Sequence, residues 1–190
     1  MALPQQIIFI DADYVKAYSQ VGGNVDEKYF LSAILTAQDK FIQPLLGTVL
    51  YKDLKTNISD LTSANSNYPT LMNDYIRMAL LRWTLVEVYP YLANKILNSS
   101  ISKVSGENAS PISKSEVDAL ISLERNNAQF YSERLIDYLQ ANTGLYPKYS
   151  ESNTTADMSP QFSVYYENGL TISGTPNVGK DNYYIYKCCR

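Results

Sequence analysis

Histidine is absent from all 190 residues. That removes the commonest general base and the commonest metal ligand together. No Ser–His or Cys–His catalytic pair is possible within the chain. Cysteine is scarce: Cys188 and Cys189 are adjacent and close to the end. Neighbouring cysteines rarely bridge each other, and two thiols alone do not make a zinc site. Positive charge is also in short supply, with 16 Lys and Arg against 19 Asp and Glu, a net charge of −3 and a pI near 5.0. This balance argues against a protein that grips nucleic acid by neutralising phosphates, though not against one that surrounds it. No apolar run approaches the roughly 18 residues that cross a bilayer. The first fourteen residues carry an apolar run of four and no basic flank, so no cleaved leader is expected.

What is present is a substantial core and an excess of tyrosine. Hydrophobic residues make up 45% of the chain, enough for one domain with an appendage. Seventeen tyrosines offer large contact area with a polar tip, the chemistry of surfaces that meet.

The stretch from Ala37 to Leu54, AQDKFIQPLLGTVLYKDL, organises the rest. The helix leading into it places Phe30, Ile34, Ala37, Phe41 and Leu45 on one face. Asn24 is the expected N-cap of that helix, with Glu27 three residues on in capping-box position. Pro44 removes an amide donor, and Gly47 can take the left-handed conformation that closes a helix. Thr48 is then placed to cap a new turn carrying Val49, Leu50, Tyr51 and Leu54. The pattern predicts a helix–break–helix corner of an all-α core. Leu45, Leu46 and Leu50 face inward, and Tyr51 and Lys52 are least explained by the core.

Lys55 to Tyr68 is polar and reads as a loop or frayed end. Pro69 opens the longest helix, expected to run to about Leu97. Its apolar residues cover so wide an arc that a central place in a bundle follows. Interior charges Arg77, Arg82 and Glu87 are expected to snorkel or to pair between helices, and Pro90 to bend the helix. Ser100 to Val104 alternates like a strand, with a turn at Gly106-Glu107-Asn108 and a return through Ala109 to Ile112. Ser113 and Glu116 form a capping box for a second long helix, ending near Asn142 with Gly144 as the stop. The expected architecture is mainly α. It is a bundle of about four helices, two of them long, over residues 1–147, with a small β-hairpin at about 99–112. A β-prone extended arm follows over 148–190. Three short β-prone runs in that arm cannot form a core alone and need something to pair with.

Two motifs carry the look of chemistry. Ile7 to Asp13 is an apolar run followed by Asp11-Ala12-Asp13, similar to the Asp-x-Asp of some phosphatases and glycosyltransferases. Those enzymes present it on an α/β sheet, whereas helix follows helix here, so a helix cap is the better reading. Gly174 to Lys180, GTPNVGK, resembles a GTPase phosphate-binding loop. The expected Ser or Thr is Asp181, the following residues read as strand, and ten residues remain, so a turn between strands explains it. The chain is read as having no catalytic, cofactor or metal residues.

The corner also carries a resemblance. Ala37-Gln38, Pro44, Leu46-Gly47, Leu50-Tyr51 and Leu54 resemble head–tail connector (head-completion adaptor) proteins of tailed bacteriophages, above all those of Bacteroides phages, the crAss-like group included. The likeness covers about residues 7 to 150. It implies a non-enzymatic, typically twelve-fold homo-oligomeric ring in the virion. The ring docks between the portal protein and further tail or ring proteins, and genomic DNA passes through its channel without sequence-specific binding. It implies assembly in the host cytoplasm and no membrane partner. Candidate interface residues are Tyr51 and Lys52 at the corner and Tyr165, Tyr166, Tyr183, Tyr184 and Tyr186 in the arm. The competing expectation is a cytoplasmic helical scaffold or regulatory oligomer without catalytic activity.

Overall fold

The computed structural model describes residues 6–21, 25–96, 101–103, 113–151 and 157–161. The protein is mainly helical. Helix α1 (Ala12–Tyr18) is capped by Asp11, whose side chain accepts from the Tyr14 N–H at 2.7 Å. The acidic Asp11-Ala12-Asp13 is therefore a helix start, as its polarity predicts. Helix α2 (Glu27–Ala37) begins at Asp26, not Asn24: the Asp26 carboxylate accepts from the Lys28 N–H. A π-helical turn, Gln38–Ile42, continues α2 directly into α3 (Gln43–Thr56), which Gly47 interrupts at φ 73° and ψ 157°. The polar stretch that follows contains one short helix, α4 (Leu61–Ala64), capped by Asp60.

A run of helix then extends without interruption from Tyr68 to Ala93. It consists of α5 (Tyr68–Thr70), a second π-helical segment (Leu71–Ile76) and α6 (Arg77–Ala93). Pro69 sits in its first turn, where a missing amide costs nothing. The helix ends at Ala93, short of the expected Leu97. Asn94–Ile96 (β1) pairs antiparallel with Ile101–Lys103 (β2), Ile96 opposite Ile101. The expected return strand, Ala109 to Ile112, lies outside the described residues. Helix α7 (Lys114–Ala141) opens on the full Ser113–Glu116 capping box. It stops at Asn142 without help from Gly144: the one described glycine with a positive φ is Gly47. A 3-10 turn, Thr143–Leu145, leads to α8 (Pro147–Ser150).

Helix α6 is the centre. It packs against α2 on one side and α7 on the other, and Ala79, Leu80, Leu81, Leu85 and Val88 are all sealed from solvent. A helix that is apolar on so many faces has to be enclosed. The interior charges find partners as expected. Arg82 pairs with Glu124 of α7 at 3.2 Å and Glu87 with Lys40 at 2.9 Å, while Arg77 donates to the Phe9 carbonyl at 3.1 Å. Trp83 ties three elements: its ring stacks on Phe41 at 3.8 Å and its N–H donates to Ser132 of α7 at 2.9 Å.

Candidate functional site: a notched helix corner and the segment that fills it

The corner predicted from Pro44 and Gly47 is present, and its break has a specific form. In an unbroken helix the Thr48 N–H would donate to the Pro44 carbonyl four residues back. Gly47 turns the chain out of helical geometry for a single residue, so that bond cannot form. Both freed groups are satisfied from far along the chain. The Thr48 N–H donates to the Met158 carbonyl at 3.0 Å, and the Gln161 N–H donates to the Pro44 carbonyl at 2.9 Å. Residues 158–161 are thus inserted into one broken helical hydrogen bond. Buried backbone groups must be paired somewhere, and here the partners come from an extended segment.

Side chains complete the notch. Thr48 is buried, accepts from the Met158 N–H at 3.1 Å and donates to Asp157. It holds the incoming segment and does not cap its own helix. That hydrogen bond lowers the Asp157 carboxyl below its usual value. Pro160 lies over Gly47 so closely that an added Cβ would sit 2.7 Å from two of its ring carbons. Glycine is required here twice over, for its conformation and for this approach. Beneath lies a small cavity of about 60 Å³, lined by Leu46, Thr48, Tyr149 and Met158 among others. The buried Tyr149 hydroxyl has no hydrogen-bond partner among the described residues. Burial raises its proton affinity.

A second join lies on the inner side of the corner. Gln38, fully buried at the start of the π-helical turn, uses its amide as a two-sided clamp. Its carbonyl oxygen accepts from the Phe9 N–H at 2.8 Å. Its NH₂ donates to the Ile7 carbonyl and to the Tyr51 hydroxyl, each at 3.0 Å. The amide copies the donor and acceptor of a neighbouring strand, and so fixes the N-terminal segment to the bundle. Tyr51 in turn donates to Asp39 at 2.5 Å and meets the Phe9 ring edge-on at 5.6 Å. Burial first, and then the bond to Asp39, raise the Tyr51 hydroxyl well above its ordinary value.

The residues singled out from sequence therefore divide. Ala37, Gln38, Leu46, Gly47, Leu50, Tyr51 and Leu54 are all buried, while Pro44 is half-buried with its carbonyl in the notch. Tyr51 faces the core and is 3% exposed, so in this chain it is no surface contact. Lys52 faces solvent. Tyr165, Tyr166, Tyr183, Tyr184 and Tyr186, and the Gly174–Lys180 loop, lie outside the described residues. Sequence reasoning missed Thr48 as a clamp and missed residues 157–161 altogether. Among the described residues no cluster of metal-ligating side chains occurs. No described helix is long and apolar enough to cross a membrane.

A family comparison spans this arrangement. Residues 42–158, more than half of the chain, match DUF6712, a family of unknown function. The chain belongs to the DUF6712 family. The matched stretch runs from the end of the first π-helical turn to Met158, so it includes Pro44, Gly47, Thr48 and Met158, while Pro160 and Gln161 lie just beyond it. No curated protein and no solved structure matches the chain.

Proposed function

We propose that this protein is a structural, non-catalytic component of a tailed-phage virion: a head–tail connector ring between portal and tail, with DNA passing through its channel. The notch is the observation that carries the reading. At the corner where the connector resemblance is concentrated, several polar contacts join it to distant stretches of the chain. Gln38 holds Ile7 and Phe9, and Pro44 and Thr48 hold Met158 and Gln161. This is the chemistry of a scaffold that anchors extended arms, and an arm anchored at its base can lie along a neighbour by strand addition.

One further feature supports assembly. Helix α7 exposes Leu120, Leu123 and Phe130, at 41%, 56% and 63%, at the spacing of a helical seam. A closed head-to-tail ring needs two different complementary surfaces on each subunit. The proposal includes a small hairpin over about 99–112, an arm over 148–190, and portal and tail proteins as partners. It includes residence at the head–tail junction, with assembly in the host cytoplasm. The test is mass and binding: the purified chain, alone and with a phage portal, is sized in solution and imaged. Rings, or portal-bound copies, are expected. A chain that stays monomeric at every concentration and binds neither a portal nor another ring protein sinks the reading in favour of a cytoplasmic scaffold.

A further inference from the structure

Away from the notch, an open cleft of about 540 Å³ lies where α1, the second π-helical segment and α7 meet. Its floor is aromatic. Tyr75 stacks on Tyr138 at 3.9 Å, and Tyr14 packs against Tyr18 at 4.6 Å. Two guanidinium groups face the same space. Arg134 of α7 lies 4.8 Å over the Tyr75 ring, and Arg77 lies 6.0 Å from the Tyr14 ring. Arg77 is held in place by the Phe9 carbonyl and by Asn73 at 2.7 Å. Neither arginine has a carboxylate at ion-pair distance among the described residues, whereas Arg82 is paired with Glu124. Asp74 also lines the cleft, so two cations face one anion and one positive charge is uncompensated.

That combination fits a single carboxylate flanked by aromatic rings. Guanidinium takes carboxylate in a planar fork, and the exposed Tyr18 ring in the lining offers contact to an incoming ring. A nucleic-acid backbone, with a phosphate at every step, matches it poorly beside Asp74 in a chain of net charge −3. A protein segment of the right composition exists in the chain itself: Tyr165-Tyr166-Glu167. It begins four residues after Gln161, which the notch fixes.

We infer that this cleft receives the Tyr165-Tyr166-Glu167 segment of a second copy of the chain, with Glu167 between Arg77 and Arg134. The inference rests on the ring reading for its second copy. Glu167 is six residues beyond the anchored Gln161, so its reach is at most about 20 Å. The neighbour's cleft must lie within that distance of this chain's corner.

The experiment uses full-length chains with opposite charge swaps, Arg134→Glu and Glu167→Arg, sized by sedimentation across a concentration series. Each variant alone places like charges together and is expected to self-associate at least about tenfold more weakly than wild type. In an equimolar mixture, a contact can set the carboxylate introduced in one variant against the guanidinium introduced in the other, and association is expected to return. That rescue also shows both variants folded. Restoration only when both changes are in one chain, with none on mixing, overturns the second-copy assignment. Association unchanged by either swap overturns the cleft while leaving the ring reading standing. A wild type that never associates, with or without portal, removes both.

Discussion

Replacing Gly47 with alanine tests the notch directly. Two costs arise, and they separate. The first is conformational: at φ 73° and ψ 157° the backbone lies in a region essentially reserved for glycine, worth about 1–3 kcal/mol against any L side chain. The second is steric. The new Cβ would sit 2.7 Å from Pro160 Cγ and Cδ, so the segment has to move. If it leaves, the bonds from Thr48 to Met158 and from Gln161 to Pro44 are lost, at about 0.5–1.5 kcal/mol each. Departure also lets residue 47 relax, so the cost is about 1–3 kcal/mol by either route, a sizeable share of the stability of an ordinary domain. Urea denaturation gives the total. Limited proteolysis at Asp157–Gln161 reports whether the segment has left. Pro160→Ala should relieve part of the steric cost and none of the conformational one, so Gly47→Ala should cost less in the Pro160→Ala background. Gly144→Ala is the internal control: its Cβ meets nothing within 4 Å and its φ is not positive, so it should be neutral or slightly stabilising. A Gly47→Ala protein within about 0.5 kcal/mol of wild type, with unchanged cleavage, would refute the argument.

Other expectations follow from the same contacts. Gln38→Leu leaves the Phe9 N–H and Ile7 carbonyl without their partner and should cost at least about 2 kcal/mol; hydrogen exchange at Phe9 should quicken, and protection there as in wild type would contradict the clamp. Tyr51, Tyr68 and Tyr146 all have raised hydroxyls, chiefly through burial. The folded state therefore keeps protons that the unfolded chain gives up near pH 10, and stability must fall as pH rises beyond that value. An ultraviolet titration should show a group of tyrosines ionising only as the fold is lost. Asp157 has the opposite sign: its carboxyl is lowered by Thr48, so its contribution is present above the ordinary aspartate range and is lost as pH falls through it. Thr48→Val should abolish that acid-side loosening of the 157–161 segment in a proteolysis–pH series; an unaltered series would assign it elsewhere.

Local chemistry was legible in the sequence, and distant pairing was not. The Ser113–Glu116 capping box, the entry at Pro69 and the break at Gly47 depend on neighbours within four residues, and each is where its pattern puts it. Asp26 is the cap where Asn24 is expected, because both are good cap residues two positions apart and spacing alone does not choose which one starts the helix. The purpose of Gly47 was hidden for a different reason. A glycine that ends a helix and a glycine that admits a proline from residue 160 look alike in one dimension. Gln38 was visible as part of a pattern, yet its partners at Ile7, Phe9 and Tyr51 are 13 to 31 residues away. Tyr51 reads as a contact in the sequence because the apolar pattern of the core explains it least. The Asp39 carboxylate and the Gln38 amide let its hydroxyl be buried instead.

The notch also sets a schedule. During synthesis the Pro44 carbonyl and the Thr48 amide emerge some 110 residues before Met158. At about 5–20 residues per second, that is an interval of roughly 5–20 seconds. Helix α6 can be made in that time, while the Thr48 amide and the Pro44 carbonyl still lack their partners Met158 and Gln161. A chain cut short before residue 158 never gains those partners. The corner is thus closed by residues made long after it, and its final geometry depends on the part of the chain around Pro160.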